Sequence, residues 1–141
     1  MTLRPDVQFR SGFPDDTVYD DDEDILAWPG RNISETLKAA LERLGYRVSE
    51  PICMEHAGWE LDILHQRKSF NVRISVIGAN ECYLMADSTK AWFWPDMKGF
   101  RMFLADLQRI LEGDSRFGVI GWFPRGGSAG ATEPADAPFD P

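Results

Sequence analysis

Long apolar runs are missing from this chain. The longest is a handful of residues, so no segment offers the roughly 20 apolar positions of a membrane-spanning helix. Residues 1–9 also lack the apolar stretch of a secretory signal, and the expectation is a cytoplasmic protein. Cysteine is scarce. Cys53 and Cys82 are the only two, both in apolar strand-like contexts, and are expected to be reduced, buried thiols. Basic residues are also few, 15 Lys and Arg against 23 Asp and Glu, for a net charge of −8. That balance argues against nucleic acid and against an anionic membrane as direct ligands, because both need a basic stripe. The one adjacent basic pair, Arg67-Lys68, falls at an expected hairpin tip.

Catalytic signatures are missing too. There is no G-x-S-x-G elbow, and neither cysteine lies beside a helix start or basic neighbours that would lower its pKa. No glycine spacing forms a P-loop, since Arg125-Gly126-Gly127 has no helix after it. Cys53, His56, His65 and Cys82 contain one usable local spacing, Cys53-x-x-His56, but not the two tight pairs of a closed zinc site. Buried thiols and ordinary strand histidines account for them. Glu55, Glu60 and Asp62 share a face at most as solvent-facing strand acids. The expectation is a non-enzymatic protein with no metal and no cofactor.

What is present is an uneven distribution of charge. Residues 1–24 carry eight acids against Arg4 and Arg10, and residues 124–141 carry three against Arg125. Between them, twelve acids balance twelve bases. Asp20-Asp21-Asp22-Glu23-Asp24 lacks the alternating oxygens and distal Glu of a calcium loop. A neutral body with an acidic arm is suited to meeting a basic surface.

Along the chain, Val7–Arg10 reads as a short edge strand and the rest of residues 1–24 as loop. Asn32-Ile33-Ser34-Glu35 resembles a capping box, with Ile33, Leu37, Ala40, Leu41 and Leu44 on one helical face and Gly45 as the stop. A β region follows, broken at Pro51. Trp59, Leu61 and Ile63 then alternate with acids, and Phe70, Val72, Ile74 and Val76 alternate with polar residues. A two-residue turn at Arg67-Lys68 would set Leu61 opposite Ile74, His65 opposite Phe70 on the core face, and Asp62 opposite Arg73. A four-residue turn preserves the same faces. Cys82–Ala86 continues the meander. Asp96 caps a second helix whose stripe runs Met97, Phe100, Phe103, Leu104, Leu107, Ile110 and Leu111. Phe117–Phe123 is a last strand, with two glycines that permit close backbone approach.

The expected fold is α+β: a two-layer sandwich in which an antiparallel meander sheet is covered by two helices. Its expected parts are an acidic, partly irregular arm (1–24), a single α+β domain (25–123) and a flexible Gly/Pro/Ala-rich tail (124–141). Candidate partner-binding residues are Asp15, Asp16, Asp20, Asp21, Asp22, Glu23 and Asp24 in the arm. Trp28, Trp92 and Trp94 join them, because exposed tryptophans anchor interfaces and three successive rings at Trp92-Phe93-Trp94 cannot all face one way.

From Gly58 to Phe123 the order of features is Gly58-Trp59-Glu60-Leu61 opening a hairpin, an amphipathic helix, then Asp114-Ser115-Arg116-Phe117 leading to Gly121-Trp122-Phe123. That order resembles small acidic immunity proteins of bacterial interbacterial-toxin systems. The resemblance implies a cytosolic inhibitor that occludes a basic toxin or effector domain, often a nuclease or other hydrolase. It transfers no binding residue. Two other readings fit a small acidic α+β chain: a secretion chaperone for an effector, and an acidic nucleic-acid mimic. The first wants an exposed dimer helix, and the second wants acids spaced like phosphates over a folded surface.

Overall fold

A computed structural model describes residues 3–55, 58–89, 97–126 and 133–140. The fold is α+β. Its elements run β1 (Asp6–Ser11), β2 (Val18–Tyr19), β3 (Ile25–Ala27), α1 (Arg31–Arg43), β4 (Arg47–Val48) and β5 (Ile52–Met54), followed by β6 (Gly58–His65), β7 (Lys68–Gly78), β8 (Glu81–Ser88), α2 (Met97–Glu112) and β9 (Phe117–Phe123). Seven strands form one antiparallel sheet ordered β4-β6-β7-β8-β1-β9, with β5 pairing the same strand, β6, as β4 does. Among the described residues, β2 and β3 pair only with each other.

α1 buries Ile33, Leu37, Ala40 and Leu41, the i, i+4, i+7, i+8 stripe of an amphipathic helix lying on a sheet. Leu44, expected on that face, sits just past the last turn and is exposed. The helix ends in a Schellman motif: Gly45 N–H donates to Glu42 O and Tyr46 N–H to Leu41 O, with Gly45 at φ 97°, which glycine adopts without strain. Its start differs from the capping-box expectation. Gly30 is the N-cap residue and Asn32 lies inside the helix, so Glu35 pairs with Arg31 at 3.1 Å instead of reaching back. α2 buries Phe100, Phe103, Leu104, Leu107 and Leu111 against the same sheet face. There Phe103 stacks on Phe70 with ring centroids 4.6 Å apart.

The β6–β7 turn is made by Gln66 and Arg67, both at positive φ, one residue earlier than Arg67-Lys68. The register is therefore Leu61 opposite Val72, Ile63 opposite Phe70 and His65 opposite Lys68. A slip of two residues leaves every side chain on its own face, so hydrophobic alternation cannot distinguish the two pairings. Arg73 consequently faces Glu60, and Asp62 faces Asn71. His65 packs beside the Tyr46 ring, 4.6 Å away.

Both chain ends depart from expectation. β1 is no edge strand, since it lies between β8 and β9 and hydrogen-bonds to both. Val7 and Phe9 are core residues. The edge position goes to β9, and residues 133–140, expected to be a flexible tail, lie along it. Trp122 and Ala135 exchange both backbone hydrogen bonds at 2.9 Å, and Arg4 N–H donates to Pro138 O at 2.7 Å. Phe139 packs against the core beneath the Arg101 guanidinium, which lies 5.0 Å from its ring centroid. The Phe139 anchor, these backbone bonds and the Arg4–Asp140 ion pair at 2.9 Å hold this segment despite its composition. Gly121 supplies the close approach read from sequence, because a Cβ there would lie 2.6 Å from the Pro134 Cβ.

Candidate functional site

Two places concentrate chemistry-bearing side chains. The first is the β2–β3 hairpin, which holds five of the ten expected partner-binding residues at its tip. Asp20 organises the turn: its carboxylate accepts the N–H groups of Asp22 (2.8 Å) and Asp24 (2.9 Å), and its own N–H donates to Asp24 O. Glu23 sits at φ 66°. Asp21, Asp22, Glu23 and Asp24 are all exposed.

The flanks of the hairpin are apolar and exposed: Val18, Ile25, Tyr19 at 57% and Leu26 at 65%. These four were missed as site residues. Short apolar pairs on either side of an acidic turn are the signal of a hairpin, but each pair is too short to register as a strand alone.

Asp15 and Asp16 do other work. Asp15 closes a local turn by accepting the hydroxyl and N–H of Thr17, and those bonds hold its pKa below the usual carboxylate value. Asp16 caps α1 from outside the helix. Its two oxygens accept the N–H groups of Gly30 and Asn32, each at 2.8 Å. That bidentate contact satisfies orphan helix donors and places negative charge at the positive end of the helix dipole. Sequence spacing hides it, because cap and helix are 14 to 16 residues apart. Trp28 fixes the other root of the hairpin. Its indole N–H donates to Glu55 O at 3.0 Å, its carbonyl accepts the Trp59 indole N–H at 2.7 Å, and the ring is half-buried. Trp92 and Trp94 lie outside the described residues.

The second concentration lies on the sheet face opposite the helices. Asp6 is fully buried there, hydrogen-bonded by the Tyr83 hydroxyl at 2.9 Å and paired with Arg125 Nε at 3.1 Å without hydrogen-bond alignment. Arg125 also reaches Asp87 at 2.9 Å and donates to Ala86 O. Burial raises the Asp6 pKa above its ordinary value, opposed by the Tyr83 hydrogen bond and the Arg125 charge. Burial first and Asp6 second push the Tyr83 phenol up to about 12. Next to this network, the Asn71 amide bridges Glu60 and Asp62. A buried carboxylate paired with arginine, beside a phenol that stays protonated, is a clasp tying β1, β8 and the residues after β9.

The cysteines divide. Cys82 is buried and its thiol is pushed up to about 11 by burial, whereas Cys53, expected to be buried, is exposed on the short strand β5. No group of three or more His, Cys, Asp and Glu among the described residues is arranged to hold a metal ion. No helix of the described residues is long and apolar enough to cross a membrane. No protein-family model, curated protein or solved structure matches the chain.

Proposed function

We propose that this chain is a non-enzymatic binding protein that neutralises a cognate bacterial toxin by occluding it. The observation that carries the reading is the β2–β3 hairpin. It is anchored at both roots, pairs with no other strand among the described residues, and presents four exposed acids at its tip and four exposed apolar residues on its flanks. An isolated two-stranded hairpin is marginal in water, and tyrosine is among the side chains that most often anchor an interface. The matching surface on the partner is basic, with an apolar cleft. Acidic side chains steer the encounter, and the apolar flanks supply the desolvated contact that slows dissociation. The order of features from Gly58 to Phe123 supports the immunity-protein class on resemblance, and the cytoplasm is the compartment that class implies.

The test is capture followed by assay. A tagged chain is used to retain partners from lysate of the native cell, and any folded basic protein retained is assayed with and without added chain. Stoichiometric loss of that protein's activity at one-to-one mixing supports the reading. Full activity in the complex excludes it.

A further inference from the structure

We propose that two copies of this chain associate around a two-fold axis, each placing its acidic hairpin in an arginine-lined groove of the other. The groove lies between the C-terminal ends of α1 and α2 and has a volume of about 720 Å³. Its apolar lining includes Ala39, Leu44 and Ile110, and its rim carries Arg43, Arg109 and Arg116. Arg116 is held by Asp114 at 2.7 Å and Arg109 by Asp106, while Arg43 has no acidic partner among the described residues. On a chain of net charge −8, this is a local surplus of cation beside exposed apolar surface. Its complement, exposed carboxylates beside exposed apolar side chains, is what the β2–β3 hairpin presents.

Both features are ordered along α1. Asp16 ties the hairpin to the N-terminal end of the helix, and Arg43 marks the C-terminal end. Thirteen helical residues separate these ends by about 20 Å. The hairpin is rooted at the far end from its own groove, so the occupant is a second copy. Two α1 helices side by side and antiparallel bring each hairpin to the other copy's groove. The contact is then isologous and closes at two copies instead of propagating. This inference stands apart from toxin neutralisation: self-association occludes the hairpin, and a partner competes for it.

Sedimentation of the full chain across a concentration series, with two exposed single-site variants, tests the proposal. The wild-type mass is expected to rise from 16.0 kDa towards twice that value. Arg43→Glu is expected to weaken association about tenfold or more. Asp22→Lys is expected to weaken it similarly, although this change lowers the net negative charge and would favour association if general repulsion were in control. In the mixed pair of the two variants one interface is native and the other sets the two reversed charges opposite each other, so an equimolar mixture associates more strongly than either variant alone. A mass of 16.0 kDa at every concentration overturns the proposal. So does an association that neither variant weakens. Partner capture by the Arg43→Glu variant, whose hairpin is intact, is read separately and reports only on the toxin reading.

Discussion

β1 and the β2–β3 hairpin are near neighbours in sequence, both short and both carrying carboxylates, yet those carboxylates have opposite fates. β1 lies between two strands, and its Asp6 is fully buried beneath Arg125 and Tyr83. The hairpin joins no other strand among the described residues and leaves Asp21, Asp22, Glu23 and Asp24 in solvent. The difference follows what each segment finds around it. Val7 and Phe9 alternate correctly to join the core, whereas Val18, Tyr19, Ile25 and Leu26 have no described surface to cover them. A run of acids is therefore not one feature. In this chain it comprises a buried clasp, a turn former, a helix cap and an exposed tip.

The sharpest way to break that comparison is to delete apolar side chains on each side of it. Phe9→Ala, in the core, is expected to cost about 3–5 kcal/mol in chemical denaturation. Leu26→Ala, on the hairpin, is expected to stay within about 0.5 kcal/mol. Next in size is the cap. Asp16→Ala should cost about 1–2 kcal/mol, because Gly30 and Asn32 lose their acceptor, while Asp21→Ala should leave the midpoint unchanged.

Smaller still is relief of strain at the edge of the sheet. Val119, a β-branched residue at φ 47°, stands with Ile120 opposite Phe9 in a bulge. Val119→Gly should raise stability by up to about 1 kcal/mol. The pH dependence comes last. A raised folded pKa means that native Asp6 binds more proton than unfolded Asp6 between its ordinary value of 3.8 and its folded value. Its contribution is fully present below 3.8 and is lost as pH rises through the folded pKa. Asp6→Asn removes that slope, so wild-type and variant stability curves should diverge only across this acid window. Parallel curves would show that Asp6 has the same pKa folded and unfolded, its burial being fully offset by Tyr83 and Arg125.

Much of the architecture was legible in the residues. Strict alternation over Trp59–Val76 and the helical stripes of α1 and α2 impose one buried face each, and two helices over an antiparallel sheet follow from that. What escaped was non-local. A strand's place in the sheet depends on β8 and β9 finding β1. Asp16 reaches a helix start 14 residues away, and Phe139 docks a segment whose composition reads as tail. Hairpin register escaped for another reason, since Gln66-Arg67 carries none of the Asn or Gly that marks a turn of this kind. Of the expected site residues, Asp20–Asp24 share one hairpin tip and Trp28 stands at its root, while Asp15 and Asp16 are committed to local structure.

The most direct test of the hairpin's role is paired capture with two baits. One is the wild-type chain; the other carries Asp21→Asn, Asp22→Asn, Glu23→Gln and Asp24→Asn with Tyr19→Ser and Leu26→Ser. These changes touch only exposed positions, so both baits fold. A basic folded protein retained by the wild type and lost from the variant is the expected result. Equal retention by the two baits would place the binding surface elsewhere and contradict the role assigned to the hairpin.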